Sequence, residues 1–247
     1  MSNFMFALKK ELFKLIHKRK YIVLTIIGIL ISLGRWGGSA IIAKLSNGYV
    51  NIKANIGLEM LPFAVEILIP VIIFMAVSDL FTHEYSSDTL KMSLLQPVSR
   101  FKLLSAKAAA VLVMSAVILL IMYVVNTAIQ IFSGGNSNNT LITLAAYIID
   151  IIPLIGVAFL GVFINVSLKG PTSATLLSLA VYGVMKYMGL YVSGADSFLF
   201  TASAKLHIML LGQPLPLHVI MYKFGILAGS ILILYSLSYI IFERKTI

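Results

Sequence analysis

The amino-acid sequence predicts an all-α membrane protein with six transmembrane helices in a single transmembrane domain, residues 1–247. Of the 247 residues, 60% are hydrophobic and 11% are charged, whereas soluble domains are usually about 45–50% apolar and about 25% charged. The basic residues behind the net charge of +10 flank long apolar runs, where membrane proteins use them to fix orientation. This pattern argues against a soluble enzyme, a disordered chain and a nucleic-acid-binding domain.

Residues 1–20 predict an N-terminal amphipathic helix that lies in the membrane interface. The charged stretch is too long for a signal peptide, and no small-residue cleavage site follows it. When these residues are placed around a helix axis at 100° per residue, the apolar residues fall on one side and the polar residues on the opposite side. The apolar arc is Phe4, Met5, Leu8, Leu12, Leu15 and Ile16, and the polar arc is Lys10, Glu11, Lys14, His17 and Lys18. The alternative is a plain extension of the first span.

Six apolar runs are long enough to cross a bilayer, which takes about 20 residues. The predicted spans are about 21–38, 60–80, 103–132, 141–168, 172–192 and 217–242. Pro62 and Pro70 interrupt the second run, so we expect a kink there. Residues 193–216 are too short for a membrane-crossing hairpin and too apolar for a solvated loop. We therefore expect short re-entrant helices before span 6.

The distribution of lysine and arginine predicts the orientation. If the N-terminus is cytoplasmic, 13 of the 19 lysines and arginines fall in inner segments, and the remaining six fall in outer loops or outer span ends. Positive charge is concentrated on the cytoplasmic side of membrane proteins. The count therefore predicts a multi-pass plasma-membrane protein with both termini in the cytoplasm.

The segment between spans 2 and 3 predicts a short cytoplasmic helix over about 86–95. Ser86 or Ser87 can cap its start, and Asp88 complements the positive end of its dipole. Pro97 ends this helix, and Ser99 caps the third span. Such an amphipathic helix can fit a groove on a soluble partner. The alternative is a re-entry turn in which the helix is incidental.

This segment resembles the signature of the type-2 ABC transporter permease family. In that family a Glu, a Gly-Thr-Leu-like helix and a Pro-x-Ser-Arg turn lead to a lysine on the third span. The matching positions are Glu84, Thr89-Leu90-Lys91, Pro97-Val98-Ser99-Arg100 and Lys107. Asp88 stands where the family usually has Gly. The interfacial helix, six spans and re-entrant helices before the last span also match the family layout over essentially the whole chain.

The resemblance implies that two permease subunits pair, as a homodimer more readily than as a heterodimer. It also implies that each subunit docks a separate cytoplasmic ATP-binding subunit through a coupling helix near residues 84–95. The residues expected to couple to that ATPase are His83, Glu84, Asp88, Thr89, Leu90, Lys91 and Leu94.

No residue pattern in the chain itself indicates catalysis. No GxxxxGK[ST] phosphate-binding loop occurs, and no histidine is spaced with a carboxylate as a metal box or a nucleophile pair. The four histidines are His17, His83, His207 and His218. We therefore expect no catalytic residue, cofactor or metal in this chain. ATP and Mg are expected on the partner subunit, with membrane lipid as the surroundings and no nucleic acid bound.

A charged residue inside a span is costly without a partner, and three of those in the predicted spans are candidates for an intramembrane polar path. They are Glu66, Asp150 and Lys186, all in the outer halves of their spans. Asp150 and Lys186 lie at similar depths, so they are expected to approach each other in at least one state of a transport cycle. The alternatives are a fixed ion pair or simple snorkelling on one hand, and a polar step in an outward path on the other.

The spans are dominated by Ile, Leu, Val, Phe and Met, which suits a hydrophobic or amphipathic substrate. Small permeases of the family resembled serve antimicrobial-peptide export and self-immunity, drug efflux or ion extrusion, so export of a peptide or antimicrobial-like compound is the leading expectation. The alternatives are a drug or ion efflux permease, or an intramembrane enzyme or sensor without transport activity.

Overall fold

The regular secondary structure of the described chain is entirely helical. The computed structural model describes residues 2–45, 55–87, 99–133, 139–192, 194, 198–203, 206–211 and 216–244. The α-helices are α1 (Ser2–Ile16), α2 (Arg19–Leu45), α3 (Ile56–Phe63), α4 (Ile69–Leu80), α5 (Thr82–Ser86), α6 (Arg100–Phe132), α7 (Thr140–Ile149), α8 (Ile151–Ser167), α9 (Pro171–Tyr191), α10 (Leu206–Leu211) and α11 (Leu217–Arg244). A π-helix spans Ala64–Leu68, and a 3-10 helix spans Phe200–Ser203.

Five helical stretches in the described chain are long and apolar enough to cross a membrane. They are Arg19–Ile42, Ile56–Ser86, Arg100–Phe132, Thr140–Ser167 and Leu217–Arg244. Each corresponds to a span predicted from the sequence. Helix α9, predicted as the fifth span, has 21 residues but is not among the five. The count of six spans therefore remains a prediction.

Helix α4 forms the centre of the bundle. It packs against α6, α8 and α9, and nearly all of its side chains are buried. Gly161 on α8 permits this close packing, because a Cβ there would lie 2.9 Å from Cδ1 of Phe74. Helices α2 and α11 lie at the periphery, because only 11% of the apolar stretch of each helix is buried.

The second predicted span is irregular where its prolines predicted a kink. The π-helix separates α3, which contains Pro62, from α4, which contains Pro70 at its start. A proline lacks the amide donor and clashes with the carbonyl four residues earlier, here that of Glu66. The Tyr182 hydroxyl donates to this carbonyl over 3.2 Å. The hydrogen-bonding capacity lost within the helix is thus supplied by α9.

The fourth predicted span is two helices, α7 and α8, that meet at Asp150. Between α9 and α11, the region predicted to hold re-entrant helices contains the 3-10 helix Phe200–Ser203 and α10. Helix α10 packs against α7. Whether these short helices enter a membrane remains a prediction.

The predicted N-terminal helix is present, but the sequence placed one charged residue on the wrong face. Glu11 was assigned to the outward polar arc, whereas it is 2% exposed and lies beside buried Ala7 and Leu15. This face packs against α6. The outward face instead carries exposed Phe6 and Phe13. Glu11 tolerates burial because its carboxylate is paired with ammonium groups, which an angular plot of one helix cannot reveal.

Candidate functional site: a charge cluster joining three helices

Lys107 is a fully buried ammonium in the second turn of α6, and three oxygens surround it. Its Nζ lies 2.7 Å from Glu84 Oε2, 3.3 Å from Glu11 Oε2 and 3.0 Å from the Leu80 carbonyl oxygen. Its side chain is 0% exposed. Burying an unpaired ammonium costs several kcal/mol, so Lys107 can be buried here only because these three oxygens bind it. The Leu80 carbonyl ends α4, where helix carbonyls lack internal partners.

Lys14 on α1 completes the group. Its Nζ lies 2.7 Å from Glu84 Oε1 and 3.1 Å from Glu11 Oε2. We call Glu11, Lys14, Glu84 and Lys107 the charge cluster; its two positive and two negative charges balance. Partial burial lowers the pKa of Lys14, but the hydrogen bond that its ammonium donates to Glu84 and the attraction of both carboxylates outweigh burial and leave that pKa raised. The Lys14 ammonium therefore stabilises the fold at neutral pH, and this contribution is lost only as the pH rises through the raised pKa.

The charge cluster fixes both ends of the segment that sequence analysis singled out. Glu84 lies on α5, just before residues 88–98, and Lys107 lies on α6 just after them. Ser99 caps α6 as predicted, since its hydroxyl accepts from the Lys102 amide. The Arg100 guanidinium donates to the Glu243 carbonyl over 2.5 Å, which brings the end of α11 alongside. We call this end of the bundle the α1 end.

A second set of charges at the α1 end surrounds Asp79 on α4. Its carboxylate lies 3.1 Å from Lys18 Nζ and 2.6 Å from Lys20 Nζ, and it accepts a hydrogen bond from the Tyr21 hydroxyl. These three partners lie at the turn from α1 into α2. Asp79 and Glu84, five residues apart, therefore hold this turn and the body of α1 respectively. Asp79 was missed in the sequence because an acid at the end of an apolar run shows nothing about its partners.

The residues predicted to couple to an ATPase fall into two groups. Asp88, Thr89, Leu90, Lys91 and Leu94 lie outside the described residues. His83 is exposed, whereas Glu84 is 7% exposed and its carboxylate faces the bundle. The Glu84 carboxylate is thus engaged within the bundle, and its part in coupling to an ATPase stays a prediction.

Ser86 ends α5, and the Ser86 and Ser87 hydroxyls both donate to the His83 carbonyl, over 3.0 and 2.8 Å. The helix that one of these serines is predicted to cap begins outside the described residues, so that capping role stays a prediction.

In this structure the intramembrane charges Asp150 and Lys186 have partners other than each other. Lys186 Nζ lies 2.7 Å from Glu66 Oε2, and an approach to Asp150 in another state of the transport cycle stays a prediction. Asp150 is fully buried and binds His207, whose backbone amide and Nδ1 lie 2.9 and 2.5 Å from its two carboxylate oxygens. Positions along the predicted spans indicate similar depths for Asp150 and Lys186, but they contain no information on the rotation of α9 or on the packing of α10 against the fourth span.

Asn126, a buried polar residue of the third predicted span, belongs to a different network. The Asn126 side-chain amide donates to the Tyr147 hydroxyl over 3.0 Å, and that hydroxyl donates to the Gly57 carbonyl over 3.1 Å. This network ties α6 to α7 and α3. Glu66, Asp150 and Asn126 thus have different partners, namely Lys186, His207 and Tyr147 respectively.

The long apolar helices, with the charge cluster at the α1 end, are those of a multi-pass membrane protein. Residues 7–186, which are 180 of the 247 residues, match the family model described as ABC-2 family transporter protein. The chain belongs to this family, and its resemblance to type-2 ABC permeases is thereby confirmed. Such a permease is a membrane transport component that works with a cytoplasmic ATP-binding subunit. No curated protein matches the chain.

Proposed function

We propose that this chain is the membrane-spanning permease subunit of an ATP-driven exporter, with ATP and Mg bound only by its partner subunit. The observation that carries the proposal is the charge cluster. It connects α1, α5 and α6 at the two ends of residues 88–98, the segment proposed to dock the ATPase.

In this proposal, Glu84 and Lys107 are positioning residues. A displacement of the docking segment pulls on Glu84 from one end and on Arg100 from the other. Because Glu84 binds Lys107 on α6 and Lys14 on α1, the displacement reaches the third span and the N-terminal helix together. A neutral, largely buried ion cluster favours transmission of this kind, since separating its opposite charges in the protein interior is costly.

The α1 end is proposed to be cytoplasmic, with α9 as a further span and both termini inside. Lys14, Lys18, Lys20 and Arg100 all contact partners at this end, which agrees with the excess of basic residues on cytoplasmic sides. We further propose one transmembrane domain and a homodimer.

The proposed substrate is hydrophobic or amphipathic, such as a peptide with antimicrobial character, moved out of the cell. Apolar side chains cover the exposed surfaces of the spans. The half-buried Glu66–Lys186 pair offers one polar contact in the outer half. Drug or ion efflux, and an intramembrane enzyme or sensor, are the outcomes that a negative test would favour.

The test combines co-purification with reconstitution. The tagged chain should co-purify with an ABC ATPase expressed with it, and the pair in liposomes should hydrolyse ATP faster when an amphipathic peptide is present. Glu84→Gln should lose this stimulation while still inserting into the membrane. Glu59→Gln is the matched control, because Glu59 forms an exposed pair with Arg35 on other helices.

An unaltered Glu84→Gln complex would contradict the role given to the charge cluster. Absence of any co-purifying ATPase, in cells that express the candidate ATPases, would contradict the transport function itself.

A further inference from the structure

A polar cleft of about 360 Å³ opens at the α1 end, separate from the charge cluster. Its walls come from α2, α4, α5 and α9. The lining residues are Lys20, Met75, Ser78, Asp79, His83, Pro171, Thr172, Thr175 and Leu176. This volume is within the usual range of small-ligand sites, about 300–1,000 Å³. We propose that the polar cleft binds the headgroup of an anionic phospholipid.

The charges around the cleft favour an anion. Lys18 and Lys20 both contact Asp79, so two ammonium groups share one carboxylate and one positive charge is left over. The Tyr21 hydroxyl donates to the same carboxylate. Asp79 therefore holds both lysines in place but neutralises only one of their two charges. A phosphate oxygen beside Lys20 would balance the remaining charge through a charge-assisted hydrogen bond.

Hydroxyl and imidazole groups of other helices complete the polar part of the cleft. Thr172 and Thr175 lie on the first turns of α9, and the exposed ring of His83 lies on α5. The Thr175 and Ser78 hydroxyls donate to the Pro171 carbonyl over 2.9 and 2.8 Å. These bonds fix the floor of the cleft and leave their oxygens able to accept from a glycerol hydroxyl.

The position of the cleft favours a lipid over a soluble anion. Lys20 is the second residue of α2, and Thr172 is the second residue of α9. These are the levels at which membrane helices reach the headgroups. The apolar side of the cleft is formed by Met75 and Leu176, and Leu176, one turn beyond Thr172, is 63% exposed. An acyl chain attached to the bound headgroup can therefore continue along α9.

The test uses the full chain, purified in detergent, with phosphatidylglycerol and phosphatidylcholine as probes. Native mass spectrometry should show one retained phosphatidylglycerol that phosphatidylcholine does not replace. Lys20→Gln should weaken its binding about tenfold, the usual effect of losing one charge-assisted contact. Thr172→Trp should exclude the lipid by filling the cleft without removing a charge.

Lys9→Gln is the matched control. It removes one exposed positive charge from α1 without touching the cleft, so binding should be unchanged. Equal loss in Lys9→Gln and Lys20→Gln would overturn the proposal in favour of unspecific surface charge. Full binding in Thr172→Trp, equal retention of the two lipids, or displacement of phosphatidylglycerol by inorganic phosphate would also overturn it. Because no ATPase is needed, failure here leaves the proposed transport function untouched.

Discussion

Replacement of Lys107 by methionine tests the charge cluster directly. Methionine fills similar space but removes the ammonium that binds Glu84, Glu11 and the Leu80 carbonyl. Removing one partner of a buried ion pair costs about 3–5 kcal/mol, because the other charge is left uncompensated. Lys107→Met should therefore lower the free energy of unfolding by about this amount. Glu84→Gln should have a similar effect, since it leaves the cluster with one excess positive charge.

The double variant Lys107→Met/Glu84→Gln separates pairing from packing. Its remaining charges, Glu11 and Lys14, balance and lie 3.1 Å apart. Only the Leu80 carbonyl is left without its donor, which costs about 1–3 kcal/mol. The double variant should therefore be more stable than either single variant.

The assay is unfolding of the purified chain in mixed micelles by increasing fractions of a denaturing detergent, followed by circular dichroism. Lys102→Met serves as the control, because Lys102 is an exposed lysine on the same helix. It should be close to wild type. If the double variant loses the sum of the two single losses, Lys107 and Glu84 do not interact, and the reasoning from the charge cluster is refuted.

Three further predictions concern other parts of the molecule. Asp150→Asn should destabilise more than the double variant Asp150→Asn/His207→Gln, measured as melting temperature in detergent, because the single change leaves the buried Nδ1 of His207 without the carboxylate it contacts, whereas the double change also removes that ring; equal losses would contradict the pair. Gly161→Ala should cost about 1–3 kcal/mol through overpacking against α4, seen in the same unfolding titration; an unchanged midpoint would refute the close approach. A spin label at Phe13 should be accessible to lipid-dissolved oxygen, whereas one at Ala7 should be immobile and shielded; equal accessibility of the two sites would contradict the observed face of α1.

Local signals in the sequence predicted much of the fold. Long apolar runs located the five stretches able to span a membrane, Pro62 and Pro70 located the irregular turn, and Ser99 located the start of α6. Each of these depends on a residue and its near neighbours along the chain. A single sequence therefore contains the information needed.

The partners of the buried charges could not be predicted in this way. Glu11 contacts Lys107, 96 positions later, and Asp150 binds His207, 57 positions later. Such contacts depend on how each helix is rotated and which helices become neighbours, and neither is encoded in spacing along one segment. For Lys186, the sequence indicated only its depth in the membrane, and both Glu66 and Asp150 lie at a similar depth. In the structure, Lys186 pairs with Glu66.

The peripheral position of α2 affects how the chain is made. Synthesis begins at the N-terminus, so the first span enters the lipid before its later neighbours exist. Only 11% of its apolar stretch is buried in the finished bundle. This helix can therefore remain surrounded by lipid before the later helices have been made. The opposite holds for α1, whose Glu11 gains its buried partner only when Lys107 has been synthesised. The contact of α1 with α6 through Glu11 and Lys107 therefore cannot form until the start of the third span has been made.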